Sequence, residues 1–544
     1  MRRIRFNSAW FAAILAITLT AKCAAQAAPR LPGELAWTIG YDPKTFDPAK
    51  VDDLDSETVR YLTAGVLLRV NRLTQTVEPQ LAQSWNLSPD GKTVIFKMRP
   101  GLRFSDGSNL TSRDAAWSIR RVLLPIMAAP VADEFVDPGG VTVETPDAAT
   151  VIVHLPHRVI GIAKIFDEIA IEPADRPSEG RVTSGPFLVA DYRRSQYVRL
   201  RRNPYYWAND SNGVYVPYAS GVRLDILNNP EQETLLFLRG EYDLIDRIPP
   251  DYFELLRKKA PSTVCDLGPS LNTEQLWFNQ SPASPLPVWE RSWFQQRAFR
   301  VAVSEAIHRD DLARIAYQGH ATPAYGFISP ANAAWYNRNL SVPHTDVAAA
   351  KAALARAGFH WAGPRLEDGA GHPVRFSILI NTGNAARQEM ATLIQQDLSA
   401  LGMEVNVVAL DFPALVERLM HTQDYEACLL GLENVAPDPN AMMNVWLSSS
   451  PNHQWNPSEK TPETAWEAEI DRDMNLQATS LDDAVRKQAV DRVQQIVADQ
   501  QPFIYLVYPN VLIGISPRIE GVEPAVLEPE LFWNVEHLRL RSSR

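Results

Sequence analysis

Residues Val77 to Arg121, VEPQLAQSWNLSPDGKTVIFKMRPGLRFSDGSNLTSRDAAWSIRR, decide the fold, because several unlike local signals follow one another there in a fixed order. The opening residues predict a helix-like turn. Ser88-Pro89-Asp90-Gly91 is turn chemistry, with proline pre-setting one dihedral and glycine accepting a positive φ. Thr93 to Met98 then alternates, placing Val94, Phe96 and Met98 on one face and Ile95 and Lys97 on the other, as a half-buried strand does. Asp106-Gly107 makes a second turn, and Thr111-Ser112-Arg113-Asp114 is a capping-box pattern ahead of an apolar helical run. Taken alone, the stretch predicts a compact α+β module.

Outward from this stretch, 544 residues exceed what one hydrophobic core organises, so two or three lobes are expected. Arg2, Arg3 and Arg5 precede an apolar run from Ala9 to Leu19, and Ala25-Gln26-Ala27 offers the small residues of a cleavage site. Residues 1–27 therefore read as a secretory signal, which places the mature protein in the periplasm. Cys23 invites lipid anchoring, but Lys22 stands where a small residue is wanted, so anchoring is the weaker reading. The leader holds four basic and no acidic residues, so its removal leaves 49 basic against 64 acidic, a formal charge of −15. That balance argues against nucleic acid, which demands clustered basic surface. Beyond the leader, no stretch approaches the 18 apolar residues of a membrane span. Cys265 and Cys428 remain, and two buried thiols are the expectation, although an oxidising compartment leaves a disulfide open. His154 and His157 lack further ligands at metal spacing, so no metal and no cofactor is expected.

Leu35 to Gly40 alternates as a strand opening the first lobe, and Val141–Val143 with Thr150–Leu155 reads as a hairpin. Farther on the pattern becomes α/β: helix Asp346–Ala357, strand Arg375–Ile380, helix Arg387–Leu401, strand Glu404–Val408, helix Phe412–Met420 and strand Tyr425–Leu432. Such alternation predicts parallel βαβ units, whose ligands bind beyond the carboxyl ends of the strands. That rule points to the loop after Leu432. Leu481–Gln500 is an amphipathic helix, and Phe503–Val507 and Val511–Ile515 read as two returning strands.

The opening stretch also resembles the signature of the solute-binding proteins of peptide/nickel-type ABC transporters (family 5). Pro79, Leu81, Ala82, Ser84 and Trp85 fit P-x-L-A-x-S-W. Ser88, Asp90, Gly91, Lys92, Phe96 and Arg99 fit the next segment, and Gly101, Phe104, Asp106, Gly107, Leu110, Thr111 and Asp114 the third. Asp42-Pro43-Lys44-Thr45-Phe46-Asp47-Pro48, Thr183-Ser184-Gly185-Pro186-Phe187 and Leu276-Trp277-Phe278-Asn279 are similar to further segments of the family. The resemblance implies an α/β fold of the periplasmic-binding-protein type II kind, with two main lobes joined by a crossing-strand hinge and a small α+β extra lobe. The first lobe is expected from 28–76, 183–271 and 503–544, the small lobe from 77–182, and the third from 272–502. It implies a monomer that takes a peptide or other small-molecule ligand by hinge closure and passes it to ABC permease subunits in the membrane. Non-peptide ligands such as oligosaccharides or metal chelates stay open, as, more remotely, does a secreted hydrolase. No G-x-S-x-G elbow, H-E-x-x-H pair or P-loop occurs.

The expected ligand contacts are Thr45 and Phe46 in the loop beside the cleft, Trp277 and Asn279 on the crossing strand, and Arg387 at the start of its helix. Leu432, Glu433, Asn434 and Val435 follow in the loop indicated by the sheet, and Trp446 and Trp455 flank a polar, turn-rich segment just beyond. In this loop the family pattern G-W-x-x-D-Y-P-D-P has an aspartate that grips a peptide's α-amino group. Here that position is Val435, and Leu432 replaces the tryptophan, so either Glu433 supplies a displaced carboxylate or the ligand lacks an amine.

Overall fold

The computed structural model describes residues 30–541 apart from 136, 160, 177–179, 343 and 434. The predicted leader, including Cys23, and the candidate Asn434 lie outside the described residues.

The first lobe is built on the strand Glu34–Ile39, which pairs in parallel with Gly221–Ile226 and so extends an antiparallel set with Tyr197–Arg202 and Phe187–Arg193. Leu35, Trp37, Val222 and Leu224 are buried there, and Trp37 stacks on Phe532 at 5.3 Å, so the C-terminal segment closes this core. Gly185 meets the end of helix Leu54–Thr63 so closely that an added Cβ would lie 2.4 Å from the Thr63 carbonyl. Close backbone approach is what glycine permits.

The small lobe is a four-stranded antiparallel sheet in the order Ala82–Leu87, Thr93–Met98, Thr150–His154, Thr142–Asp147. Val94, Phe96 and Met98 face its core, as the alternation predicts. Helix Ser112–Val122 carries the predicted capping box at Thr111 and Asp114. The helix-like turn expected at the start of the signature is instead two strands, Val77–Pro79 and Ala82–Leu87. Pairing of Trp85 opposite Phe96 decides the conformation, a tertiary contact that local propensity does not carry. Arg121 bridges Asp47, at 2.6 Å, and Glu172, which ties the Asp42–Pro48 loop to the small lobe.

The third sheet joins the remaining parts, with Phe503–Ile515, Thr273–Phe278, Ala427–Leu432, Arg375–Asn381 and Glu404–Leu410 side by side. The last three are parallel, as the α/β alternation predicts. Phe503–Ile515 is a single strand of 13 residues rather than two. Its first half pairs with Thr273–Phe278 and Ala321–Pro323, and its second with Val264–Pro269 and Leu244–Ile245. Two antiparallel strand segments thus run from one main lobe into the other. Phe278, fully buried, stacks on Phe294 at 4.9 Å and meets Phe299 and Phe376 edge-on, anchoring the crossing strand in the third lobe. The two cysteines are not bridged. Cys428 is buried and Cys265 is exposed, contrary to the expectation of two buried thiols, because Val264–Pro269 pairs along Phe503–Ile515 with the Cys265 side chain turned outward.

Truncating Phe278→Ala removes a large aromatic from a dry core and leaves a cavity. It is expected to destabilise the protein by about 3–5 kcal/mol, read as a lower urea midpoint.

Candidate functional site

The strand Ala427–Leu432 lies between the crossing strand and its parallel neighbours, and the chain leaves it into the indicated loop. Glu433 is exposed and Val435 half-buried. The Val435 amide donates to Asn272 Oδ1 at 3.4 Å. Val435, Ala436, Pro437, Leu271 and Phe327 line a small, largely apolar recess, and Asn332 on its wall donates to the Pro437 carbonyl at 2.7 Å. Asp438 caps the short helix Pro439–Met442 and pairs with Arg486 at 2.6 Å, so its carboxylate is taken up structurally.

Beneath this loop lies a buried ion pair. Arg387 enters from the first turn of helix Ala385–Ser399, and its guanidinium forks onto Glu274 of the crossing strand through bonds of 2.9 and 2.6 Å. A third donor reaches Asn381 Oδ1. Burial pushes Glu274 up as an acid even with the guanidinium holding it down, and Glu433 adds a like charge nearby. The pair fixes the helix start against the strand, and at 3% exposure Arg387 presents almost no surface to a ligand.

In the first lobe stands a group that no motif announces: Asp55, Glu233, Asp246, Glu528 and Glu530 around Arg247. Arg247 adopts a left-handed backbone at φ 48°, a costly conformation for a non-glycine residue that clusters at functional sites. Its side chain is 47% exposed, and the acids Asp246, Glu528, Glu530 and Asp55 raise its already high basicity. Burial raises Glu528 as an acid against the pull of Arg247, and Asp246 and then Glu433 add like charges. Burial, then Asp246 and Glu528, push Glu530 up to about 8. Burial brings Glu233 up to about 7 against its hydrogen bond from Thr38. Burial and mutual crowding thus hold several of these acids protonated above the usual carboxylate range, and a cationic guest relieves that crowding.

The structure separates the sequence candidates. Glu433, Val435 and the half-buried Leu432 lie together at the loop. Thr45 and Phe46 are half-buried and line a different, small recess shared with Arg60, Ala64, Glu172 and Thr183. Four candidates have no surface to offer a solute in this conformation. Trp277 is packed in the core, its indole N–H donating to the Tyr425 hydroxyl at 3.3 Å. Asn279 spends its amide on the carbonyls of Gln423 and Tyr425 at 2.8 and 3.0 Å. Trp446 and Trp455 are fully buried against Phe503. The polar segment between them turns inward as well, since Ser448 is held by Asp471 at 2.6 Å.

These features can now be set beside known proteins. The family model described as bacterial extracellular solute-binding proteins, family 5, middle region, matches residues 76–454. The chain belongs to this family. Its members are solute-binding transport proteins that work with ABC transporter permeases. A probable ABC transporter-binding protein of Deinococcus radiodurans is 25% identical over 535 residues, covering 88% of this chain and 87% of the relative. A probable D,D-dipeptide-binding periplasmic protein of Escherichia coli is 24% identical over 498 residues, covering 88% and 89%. Among solved structures, the ABC transporter substrate-binding protein CtaP of Listeria monocytogenes superposes with a TM-score of 0.78 at 21% identity, over 94% of this chain and 99% of that one. The family 5 protein therefore has the type II periplasmic-binding fold implied by its signature. No helix among its described residues is long and apolar enough to cross a membrane.

Replacing Arg387 by Met strands Glu274 as a buried charge and is expected to cost about 3–5 kcal/mol in urea unfolding, whereas adding Glu274→Leu to it recovers most of the loss. A raised folded-state pKa stabilises below the unfolded value and is lost as pH climbs through the folded one. Between about pH 4.5 and 8 the folded family 5 protein holds protons on Glu530 that the unfolded chain has released. Stability is therefore expected to fall as pH rises across that window, and Glu530→Gln to flatten the fall, read as urea midpoints at pH 5, 6.5 and 8.

Proposed function

We propose that this family 5 protein captures a peptide or peptide-like solute bearing a cationic amine and delivers it to an ABC permease without turning it over. The observation that carries the reading is that Glu433 of the third lobe adds a like charge to the already crowded Glu528 of the first. Carboxylates brought near one another repel, and a cation placed between them reverses the sign of that interaction. Glu433 thereby supplies the carboxylate that Val435 does not, from two positions earlier in the loop. Leu432 and Val435 provide half-buried apolar surface next to that charge. The dipeptide-binding relative supports the ligand class. The protein works as a periplasmic monomer after removal of residues 1–27.

Calorimetry with free-amine and N-acetylated peptides of two to five residues tests this. Free-amine peptides are expected to bind at least tenfold more tightly than their acetylated forms, and Glu433→Gln and Glu528→Gln each to weaken only the former, by about 10–100-fold. Equal binding of acetylated and free-amine peptides would overturn the reading.

A further inference from the structure

Away from the cleft, inside the third lobe, three ionisable side chains converge with nothing in the transport reading to occupy them. His453 is 0% exposed, Glu459 9% and Glu467 3%. His453 Nδ1 lies 3.0 Å from the Val445 carbonyl, which can only accept, so Nδ1 carries the proton and Nε2 is turned inward. Nε2 stands 3.6 Å from Glu459 Oε1 and 3.7 Å from Glu467 Oε1. These separations exceed a hydrogen bond. Both Nε2 and Glu459 Oε1 lack a hydrogen-bond partner among the described residues.

The rest of the cluster is braced. Glu459 Oε2 accepts from the Glu463 amide at 2.7 Å. Glu467 Oε2 accepts from the Thr464 amide and hydroxyl at 3.0 and 2.6 Å, and its Oε1 from the Trp455 indole at 3.0 Å. Each carboxylate is thus held by one set of donors while an oxygen faces the imidazole. A histidine whose distal N–H is fixed by a backbone carbonyl, next to oriented carboxylates, is the arrangement that surrounds bound metal ions. The spacing agrees as well, because two ligands each about 2.1 Å from a common ion and about 110–120° apart stand about 3.4–3.6 Å from each other. Composition points the same way: two carboxylates buried beside one imidazole bring acceptor atoms together away from water, and a divalent cation is what satisfies such a set.

We propose that His453 Nε2, Glu459 Oε1 and Glu467 Oε1 bind a divalent cation of the zinc class, with water completing the coordination. Imidazole with carboxylates suits zinc and its first-row neighbours better than calcium or magnesium, which prefer oxygen alone. The ion would fasten the segment around His453 to helix Ala465–Thr479, in the same lobe as the ligand loop. Being buried, it would exchange slowly.

Tag-free protein produced with zinc in the medium is expected to carry one zinc per chain by elemental analysis. His453→Ala and Glu459→Gln are expected to lower zinc affinity at least tenfold, while His320→Ala, at a half-buried histidine beside Glu254 and Asp266, leaves it unchanged. Independently of any variant, cobalt added to the zinc-stripped wild-type protein should give the intense visible bands of a four-coordinate site and lose them on adding zinc. Less than a tenth of an equivalent of zinc, equal affinity in the two site variants, or cobalt spectra of the weak six-coordinate kind would overturn the proposal. So would a zinc-free protein whose unfolding midpoint responds to pH through Glu459 but not to added zinc.

Discussion

The structure depends on one main-chain constraint, the antiparallel ladder between Val264–Phe278 and Phe503–Ile515. Pro269 stands opposite Asn510 in the first lobe and Glu274 opposite Val507 in the third, with only a few residues between the two registers. Strands tied on both sides of a short gap can twist about that gap but cannot slide, since sliding breaks every ladder bond at once. Relative motion of the main lobes is therefore restricted to bending at the gap, the hinge repertoire of two-lobed binding proteins. The aromatic packing of Phe278 and the Arg387–Glu274 pair hold the third-lobe end of the ladder rigid.

Charge placement follows from that geometry. Acids of the first lobe and Glu433 of the third lie close enough to act on one another's charge. Arg121 ties the small lobe to the first-lobe loop at Asp47, which joins those two parts.

Features carried by periodicity and local chemistry were legible in the sequence: the alternating face of Val94, Phe96 and Met98, the capping box at Thr111, and the parallel strands that point to the loop after Leu432. Contacts between distant residues were not. Arg387 and Glu274 are 113 positions apart, and the first-lobe acids come from four separate segments, so no spacing announces them. The Trp446–Trp455 segment misled for a related reason. Its serines, asparagine and histidine read as surface, yet several are buried because other parts of the lobe supply their partners, Asp471 for Ser448 and Val445 for His453. Local polarity records the need for a partner, and water is only one way to meet it.

The unbridged cysteines give the molecule a built-in reporter. Burial pushes the Cys428 thiol far above its usual acidity range and hides it from reagents, while Cys265 is exposed on the strand that leads into the hinge. Among the described residues the native chain thus presents one addressable sulfur, on the first-lobe side of the bending gap. A dye or spin label can be carried there without engineering a new attachment point, so lobe motion becomes observable in the unmodified sequence.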